Sequence, residues 1–503
     1  MVDTGQRNVA SHFDAIVIGT GQAGPSLAVH LAQAGQRVAV VERGRFGGTC
    51  VNTGCTPTKT LVASAYAVHL ANCGTEFGFA VEGPVRADMR RVKARKDAIT
   101  GTSSAGVESR LRGTPNCTVY QGNARFESPN QVRVGEELLE ASQLFIDVGG
   151  RAAIPPLPGV ATTPYLTNST LLDVDFLPRH LVIVGGGYVG LEFGQMFKRF
   201  GSEVTIIEKA SRLIAHEDED VSAEVQAILE REGIAVRLNA TCIELMRHGE
   251  VARHFLPGRS RWSLVGGLRL AAAGARSARR ASELPREAGV RVDCTEGAAE
   301  VRGSHLLLAM GRTPNTGDLG LDKAGVARDA RGYIVVDDQL RTGVPGIWAL
   351  GDCNGRGAFT HTAYNDFEIV AANLLEHGTR SVADRIPAYN VYIDPPLGRC
   401  GMTEHEARAS GRRVLIARRP MTRVLRAVEK GESQGFMKVL VDADSKEFLG
   451  ATILGTGGDE VIHCVLDMMY ARAPYTVMQR AVHIHPTVSE LIPTMLGQLQ
   501  PLE

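Results

Sequence analysis

Two long stretches of the chain share one pattern of hydrophobic and polar positions. Each begins with a short apolar run, passes through a glycine-rich turn into a segment with apolar residues every three or four positions, and closes on a second apolar run. A short apolar run bounded by turn residues is typical of a buried parallel strand, and the wider spacing is typical of an amphipathic helix. The pattern therefore predicts strand, turn, helix and strand, twice in one chain.

The first stretch, FDAIVIGTGQAGPSLAVHLAQAGQRVAVVER, carries Gly19, Gly21 and Gly24 in the spacing G-x-G-x-x-G. These glycines permit a tight turn, close approach of the backbone to a pyrophosphate and close packing of helix on strand. Glu42 ends the second apolar run 23 residues after Gly19, where a carboxylate suits a ribose hydroxyl. We therefore predict a dinucleotide site here.

The second stretch, HLVIVGGGYVGLEFGQMFKRFGSEVTIIEK, repeats this spacing with Gly185, Gly187 and Gly190. Glu208 again follows 23 residues after the first glycine. Two such sites imply two dinucleotides, and FAD with a nicotinamide is the usual combination.

The segment GGTCVNTGCTPTK lies after the first stretch and holds Cys50 and Cys55 just before a predicted helix. The chain has nine cysteines, scattered and odd in number, unlike the disulfide framework of a secreted protein. In a reducing compartment a close pair favours catalysis or metal binding over a structural disulfide. The residues alone leave both of those readings open.

Composition narrows the class of protein. A chain of 503 residues predicts about three or four domains. Lys plus Arg equals Asp plus Glu at 55 each, so no overall field favours nucleic acid or an anionic membrane. No apolar run is long enough for a transmembrane helix, and the polar N-terminus lacks an apolar signal core. We expect a cytoplasmic protein with neither a nucleic-acid nor a membrane partner.

The segment GIWALGDC predicts a short buried strand that ends at Gly351 and Asp352. A carboxylate at such a strand end can accept hydrogen bonds from a polyhydroxyl chain such as ribityl. A helix predicted to start near Thr362 would present its positive N-terminal end to the same place, which favours a reduced, anionic flavin.

Six motifs in this order, from Phe13 to HIHPTVSE near the C-terminus, resemble those of the pyridine nucleotide–disulfide oxidoreductases. That family includes glutathione reductase, dihydrolipoamide dehydrogenase and mercuric reductase. The resemblance implies an α/β fold with two Rossmann-like dinucleotide-binding domains, for FAD and NAD(P), and a C-terminal α+β dimerisation domain. It implies an FAD domain of residues 1–150 and 315–385, a nicotinamide domain of 151–314 and an interface domain of 386–503.

The resemblance also implies roles for individual residues. Cys50 and Cys55 would form a redox-active disulfide, with Cys55 beside the flavin and Cys50 facing substrate, in place of a metal site. His485 and Glu490 would be an acid–base dyad that reaches the disulfide of the other subunit of a homodimer. Further catalytic positions are Lys59 and its partner Glu192. The expected cofactor-binding residues are Gly19, Gly21, Gly24, Glu42, Gly351 and Asp352 for FAD, and Gly185, Gly187, Tyr188, Gly190 and Glu208 for the nicotinamide. Thr49 and Gly311 are expected to bind a cofactor as well.

The implied activity moves electrons from NAD(P)H through FAD to the cysteine pair and on to a small disulfide or a metal ion, as in mercuric reductase-like proteins. Dihydrolipoamide dehydrogenase is the first alternative, and a flavin-only NADH oxidase or transhydrogenase is the second. A non-catalytic FAD-binding protein is the third. Glu208 favours NADH because it would repel a 2′-phosphate, although Lys209 and Arg212 nearby keep NADPH as the alternative.

Residues 251–289 depart from the pattern of the family. The segment is rich in Arg, Ala, Gly and Leu and interrupts a predicted hairpin of the nicotinamide domain. We interpret it first as a tolerated surface insertion, since loop length costs little closure entropy. A reading-frame artefact and a basic interaction element are the alternatives, and we expect poor order or loose helix.

Overall fold

The structure is a computed structural model, and it describes residues 10–248, 287–293 and 299–503. Its helices are α1 (Gly24–Gln33), α2 (Gly48–Thr53), α3 (Cys55–Asn72), α4 (Met89–Gly113), α5 (Asn168–Leu171), α6 (Tyr188–Phe200), α7 (Glu219–Arg231), α8 (Thr360–Leu375), α9 (Glu404–Ala409), α10 (Leu425–Glu429), α11 (Gly458–Tyr470), α12 (Tyr475–Arg480) and α13 (Leu491–Leu496).

The strands fall into three main sheets and two small ones. They are β1 (Ser11–Ile18), β2 (Val38–Glu42), β3 (Cys117–Gln121), β4 (Ala124–Ser128), β5 (Gln131–Val134), β6 (Glu137–Ile146), β7 (Gly150–Ala152), β8 (His180–Val184), β9 (Glu203–Ile207), β10 (Ala235–Arg237), β11 (Thr241–His248), β12 (Glu287–Asp293), β13 (Glu300–Gly303), β14 (His305–Leu308), β15 (Arg312–Pro314), β16 (Ile347–Ala349), β17 (Ala388–Val391), β18 (Leu397–Gly401), β19 (Val414–Pro420), β20 (Phe436–Asp442), β21 (Phe448–Leu454) and β22 (Gln500–Pro501).

The first sheet has the order β3-β2-β1-β6-β5-β4, with β16 beside β6. Strands β3, β2, β1, β6 and β16 run parallel, so their carboxyl ends meet at one edge. Side chains of β1 alternate between the two faces: Ala15 and Val17 pack beneath α1 and α8, and Ile16 and Ile18 join the core of the opposite face. Burial on both faces explains why this strand reads as a continuous apolar run.

The second sheet, β10-β9-β8-β14, is parallel throughout. In β8, Leu181 and Ile183 face the core that contains α6 and α7, while Val182 and Val184 face the core beneath the antiparallel sheet β11-β12-β13. The third main sheet is antiparallel, β17-β18-β21-β20-β19-β22, and every residue of β20 and β21 is buried. The predicted fold class, two dinucleotide-binding folds and a C-terminal α+β unit, is therefore confirmed, whereas the exact domain boundaries stay a prediction.

Three local predictions need correction or restriction. The two cysteines do not both precede the predicted helix, since Cys50 lies in the short helix α2 and Cys55 is the first residue of α3. Helix α8 begins at Thr360, two residues before the predicted start near Thr362. The predicted insertion 251–289 ends too late, because residues 287–289 belong to β12 and pair with β11, His248 lying opposite Glu287. Residues 251–286 lie outside the described residues.

Among the described residues, no helix combines the length and the apolar content that crossing a bilayer requires.

A buried lysine joins the second and third main sheets. The Nζ of Lys438 on β20 lies 2.9 Å from Asp218 and from Asp220, at the start of α7, and 2.6 Å from Glu404 on α9. The lysine side chain is only 2 % exposed. Three carboxylates around one ammonium are held together by its charge, since without it they would repel one another.

We expect Lys438→Met to lower the stability of the protein by about 3 kcal/mol or more, because it leaves buried carboxylates uncompensated. Midpoints of urea and thermal unfolding measure this. Lys323→Met is the matched control, since Lys323 pairs with Glu127 at 2.6 Å but the two side chains are 49 % and 32 % exposed, and a pair near the surface contributes about 1 kcal/mol or less. Equal shifts in the two variants would contradict the role assigned to Lys438.

Candidate active site

A cavity of about 810 Å³ opens at the carboxyl ends of the first parallel sheet, against α2, α3 and the N-terminus of α8. Many of the predicted site residues line this cavity. They are Gly19, Gly21, Glu42, Thr49, Cys50, Cys55, Lys59, Tyr188, Glu192 and Asp352. The structure thus brings the first glycine turn, the cysteine pair and the predicted lysine–glutamate pair to one space.

The first glycine turn is closed by Glu42. Gly19 has φ +104°, and a Cβ there would lie 2.1 Å from the carbonyl oxygen of Asp147, so no larger residue fits. The Glu42 carboxylate accepts hydrogen bonds from the backbone N–H of Thr20 at 3.0 Å and of Gly44 at 2.7 Å. The acid therefore fixes the turn as well as ending β2.

The second glycine turn is built in the same way. Gly185 has φ +118°, with a Cβ position 2.3 Å from the carbonyl oxygen of Ala309. Glu208 accepts from the backbone N–H of Gly186 at 2.5 Å and of Ala210 at 2.7 Å, the counterparts of the two donors to Glu42. In both turns the glutamate accepts two backbone N–H groups. One belongs to the residue that follows the first glycine, and the other to the residue two positions after the glutamate.

These features fit a bound dinucleotide in both turns. A Cβ at Gly187 would meet no atom within 4 Å, which leaves room for a phosphate near that backbone. In the cavity, the Arg312 Nε is buried and has no hydrogen-bond partner among the described residues, so a donor is free for a ligand atom. The N-terminal residues of α8, including Thr360 and Ala363, line the same cavity and supply the positive end of the helix.

The two cysteines are free thiols in the structure and differ in acidity. The hydrogen bond from Cys50 is the largest cause that lowers the pKa of Cys55 to about 6; Thr360 and the Lys59 ammonium lower it further, and burial opposes them. The Cys55 Sγ lies 3.0 Å from the Thr360 hydroxyl oxygen. The hydrogen bond with Cys55, then burial, raises the pKa of Cys50. The surroundings therefore favour the thiolate at Cys55 and the protonated thiol at Cys50.

Lys59 and Glu192 form an ion pair inside the cavity. The Lys59 Nζ is 2.7 Å from Glu192 Oε2, and Glu192 is only 3 % exposed. The other carboxylate oxygen accepts the backbone N–H of Tyr392 at 2.9 Å, and the lysine nitrogen lies 4.6 Å from the centre of the Tyr392 ring. Tyr188, whose pKa is raised by burial, packs near the ring of Phe359 at 5.8 Å. The ammonium is thus held from two sides.

Asp352 pairs with Arg312 at 3.1 Å, and Arg312 also donates to the carbonyl oxygen of Gly150 at 2.8 Å. Burial raises the pKa of Asp352. The Thr49 hydroxyl donates to the same carbonyl oxygen at 3.2 Å. Gly351 donates its N–H to Asp366 at 2.8 Å. The predicted Asp352 is therefore anchored by an arginine that the sequence analysis did not single out.

His485 and Glu490 form a close pair outside the cavity. The imidazole Nδ1 lies 3.0 Å from both carboxylate oxygens, so the carboxylate fixes the ring orientation. The His485 side chain is 67 % exposed and Glu490 is 14 % exposed. Neither residue lines the cavity of its own chain. Predicted residues outside that lining also include Gly24, Gly351, Gly185, Gly187, Gly190, Glu208 and Gly311.

Four residues of the site were missed in the sequence. Asp147 directly follows the carboxyl end of β6, where ligands of parallel sheets bind, and that position was the available signal. Arg312 stands in the motif LLLAMGRTPNT next to the predicted Gly311. Thr360 was hidden by the late predicted start of α8. Tyr392 reaches the site only through the chain path of the C-terminal sheet, for which the sequence offers no local signal.

Family models and known proteins match nearly the whole chain. The model described as pyridine nucleotide-disulphide oxidoreductase matches residues 13–366, and that of the family's dimerisation domain matches residues 387–496. A protein of Escherichia coli K12 named as a probable pyridine nucleotide-disulfide oxidoreductase, RclA, is 36 % identical over 95 % of this chain and 97 % of its own. Dihydrolipoyl dehydrogenase of Thermus scotoductus is 31 % identical over 95 % of each chain, and mercuric reductase of Streptomyces lividans is 30 % identical over 95 % of this chain and 94 % of its own.

Solved structures agree with these matches. The structure described as HOCl-induced flavoprotein disulfide reductase RclA from Escherichia coli superposes with a TM-score of 0.81 at 34 % identity, over 96 % of this chain and 99 % of that one. A Cu(II) complex of the same protein gives a TM-score of 0.82 at 33 % identity, over 97 % and 99 %.

We expect Cys50→Ala to raise the pKa of Cys55 from about 6 toward the ordinary thiol range near 9, because the largest stabilising hydrogen bond is lost. Cys50→Ser is the matched control, since its hydroxyl can still donate to the thiolate and should keep the pKa low. Thiolate absorbance or the rate of iodoacetamide alkylation against pH, on reduced protein, measures the difference. Identical titrations in both variants would refute this account of the pair.

Proposed function

Because the chain belongs to the pyridine nucleotide-disulphide oxidoreductase family, we propose that it takes electrons from NADH and delivers them through the Cys50–Cys55 pair to a small disulfide or a metal ion. The family is FAD-dependent and uses a pyridine nucleotide. Bound FAD supplies the exchange between the hydride of the nicotinamide and the electron pair of the thiols. The observation that carries the proposal is the placement of Cys50 and Cys55 on the wall of the cofactor cavity, where the Thr360 hydroxyl and the Lys59 ammonium favour a thiolate at Cys55.

Reduction of a disulfide RS–SR by this pair balances as follows. Cys50 loses its proton to a base, its sulfur attacks one sulfur of the acceptor, and the S–S bond breaks to release RS⁻. The Cys55 thiolate then attacks the Cys50 sulfur, which re-forms the internal disulfide and releases the second RS⁻. Two protons end on the two leaving thiolates: one is the proton that left Cys50, and the other comes from the solvent because Cys55 starts as a thiolate.

We assign the base to His485 of the partner subunit in a homodimer. The dyad with Glu490 stabilises the imidazolium that forms when the ring takes the proton. The chain carries the family's dimerisation domain, which supports a homodimer. Val482 and Ile484, next to the dyad, are 100 % and 81 % exposed, as expected of apolar side chains that a second subunit covers.

A metal ion as acceptor is the second candidate, favoured by the Cu(II) complex of the Escherichia coli relative. Reduction of two Cu(II) ions by the thiol and the thiolate gives two Cu(I) ions, the Cys50–Cys55 disulfide and the one proton that Cys50 carried. No thiolate leaves the acceptor, so the imidazolium has no leaving group to protonate.

We therefore expect His485→Gln to reduce NADH-dependent disulfide reduction by about 100-fold or more, while Cu(II) reduction keeps most of its rate. Steady-state oxidation of NADH, with a panel of small disulfides or with Cu(II) as acceptor, measures the two rates. For dihydrolipoamide, the reverse reaction is followed as reduction of NAD⁺. The neighbouring exposed His483→Gln is the matched control and should leave both rates near those of the unaltered protein. An equal loss in the two variants, or no loss in His485→Gln with any disulfide, would overturn the assignment.

For the nicotinamide, we propose NADH. Glu208 directly follows β9, where a carboxylate suits a ribose hydroxyl, and its charge would repel a 2′-phosphate. Arg212 contacts Glu219 at 3.3 Å and the carbonyl oxygen of Ala215 at 3.2 Å, while its Nε has no hydrogen-bond partner among the described residues. The charge of Glu208 is therefore the observation that supports NADH over NADPH.

Glu208→Gln should raise kcat/KM for NADPH by about tenfold, because removal of one like charge near the 2′-phosphate corresponds to about 1.4 kcal/mol. The ratio of kcat/KM for NADH and NADPH is the readout. Glu203→Gln, at the exposed start of the same strand, is the control and should leave the ratio unchanged. A native preference for NADPH, or an unchanged ratio in Glu208→Gln, would contradict the proposal.

A further inference from the structure

Asp147 brings a buried carboxylate into the proposed FAD site. The residue follows β6 directly, is 5 % exposed and lines the cavity. Its Oδ2 accepts the backbone N–H of Gly24, the first residue of α1, at 2.8 Å. The carboxylate also crowds two other glycines of the site, since Cβ atoms at Gly21 and Gly351 would lie 2.8 and 2.9 Å from its oxygens. The group thus lies at the centre of the glycine cradle.

The N-terminus of α1, where the Asp147 carboxylate lies, is also the expected binding position of a pyrophosphate. The N-terminus of a helix after a glycine-rich turn binds phosphate through its free N–H groups and its positive dipole end. Asp147 already uses the Gly24 N–H, and an ionised carboxylate would repel a pyrophosphate placed beside it. No hydrogen bond from a described residue reaches its Oδ1, and Asp147 is one of the residues that line the cavity.

The charged groups around Asp147 do not neutralise it. Glu42 at the end of β2, Asp352 in the turn before α8 and Asp366 on α8 all act on it as negative charges. Arg312 pairs with Asp352, and Arg385 pairs with Asp366. Within the described ranges, no lysine, arginine or histidine forms an ion pair with Asp147 itself. Burial, followed by these acids, raises the pKa of Asp147 well above its usual range, although the Gly24 N–H opposes the shift.

We propose that Asp147 links FAD binding to a proton: the site takes FAD with Asp147 as the neutral acid, whose O–H can donate to a cofactor oxygen. The inference rests on the FAD site proposed above. A neutral acid removes the repulsion and adds a donor, whereas the carboxylate must first take up a proton. Affinity for FAD therefore falls as the pH rises past the point at which Asp147 ionises in the free protein.

The size of the effect follows from proton linkage. If one proton is taken up on binding, the Kd for FAD rises by about tenfold for each unit of increase in pH. This holds between the pKa of Asp147 in the free protein and its higher pKa in the complex. Below that range the group is already protonated and the Kd is flat. Above it the complex too loses the proton, so the Kd reaches a second plateau.

Titration of the FAD-free full-length protein with FAD, followed by calorimetry between pH 6 and 9 in two buffers of different ionisation heat, tests this. We expect net proton uptake on binding, and a Kd that rises with pH. Asp147→Asn keeps the size and a hydrogen-bond acceptor but cannot ionise, so it should abolish both the uptake and the slope and bind FAD more tightly than the unaltered protein at high pH.

Asp442→Asn is the matched control, a buried aspartate of β20 outside the cavity, and should behave as the unaltered protein. An unchanged slope in Asp147→Asn, or weaker binding at every pH, would overturn the proposal. If Asp147→Asn fails to fold, the unaltered protein still tests the proposal, because FAD binding without net proton uptake would also overturn it. Absence of FAD binding by the unaltered protein at every pH would instead refute the FAD site itself.

Discussion

Glu192 is the point at which three parts of the chain meet. Its buried carboxylate holds Lys59 from α3, accepts the backbone N–H of Tyr392 from the C-terminal unit, and is itself carried by α6 of the second dinucleotide fold. The lysine so held lies close enough for its charge to lower the pKa of Cys55. One ion pair therefore ties the second fold and the C-terminal unit to the helix that follows the cysteines, and its lysine adds to the hydrogen bonds from Cys50 and Thr360 that lower the pKa of Cys55.

The cysteines and the buried aspartates of the cavity lie in electrostatically different surroundings. Beside the cysteines, a hydroxyl, a thiol and an ammonium favour the thiolate of Cys55. Along the same cavity, burial raises the pKa of Asp147, which forms no ion pair with a described residue, whereas Asp352 is paired with Arg312. The first arrangement suits a nucleophilic sulfur, and in the second an arginine offsets part of the negative charge that a phosphate-bearing ligand meets.

The sequence was informative where the physics is local. The two glycine turns and their acids follow from strand periodicity and from steric limits at Gly19 and Gly185, so both were predicted residue by residue. The partners Thr360 and Tyr392 were not, because contacts between residues hundreds of positions apart depend on how the sheets pack. The end of the insertion was misjudged for a related reason: residues 287–289 carry weak strand character and are recruited into β12 by pairing with β11.

The most direct test of the account is to count the thiols that NADH produces. The oxidised protein is treated anaerobically with NADH, alkylated and digested, and the masses of the peptides that carry Cys50 and Cys55 are measured by mass spectrometry. The account predicts that both cysteines become alkylated with NADH and stay unmodified without it, while Cys117 is unaffected by NADH. Full bleaching of the flavin by NADH with Cys50 and Cys55 still joined would contradict it, because electrons would then leave the cofactor without reaching the pair.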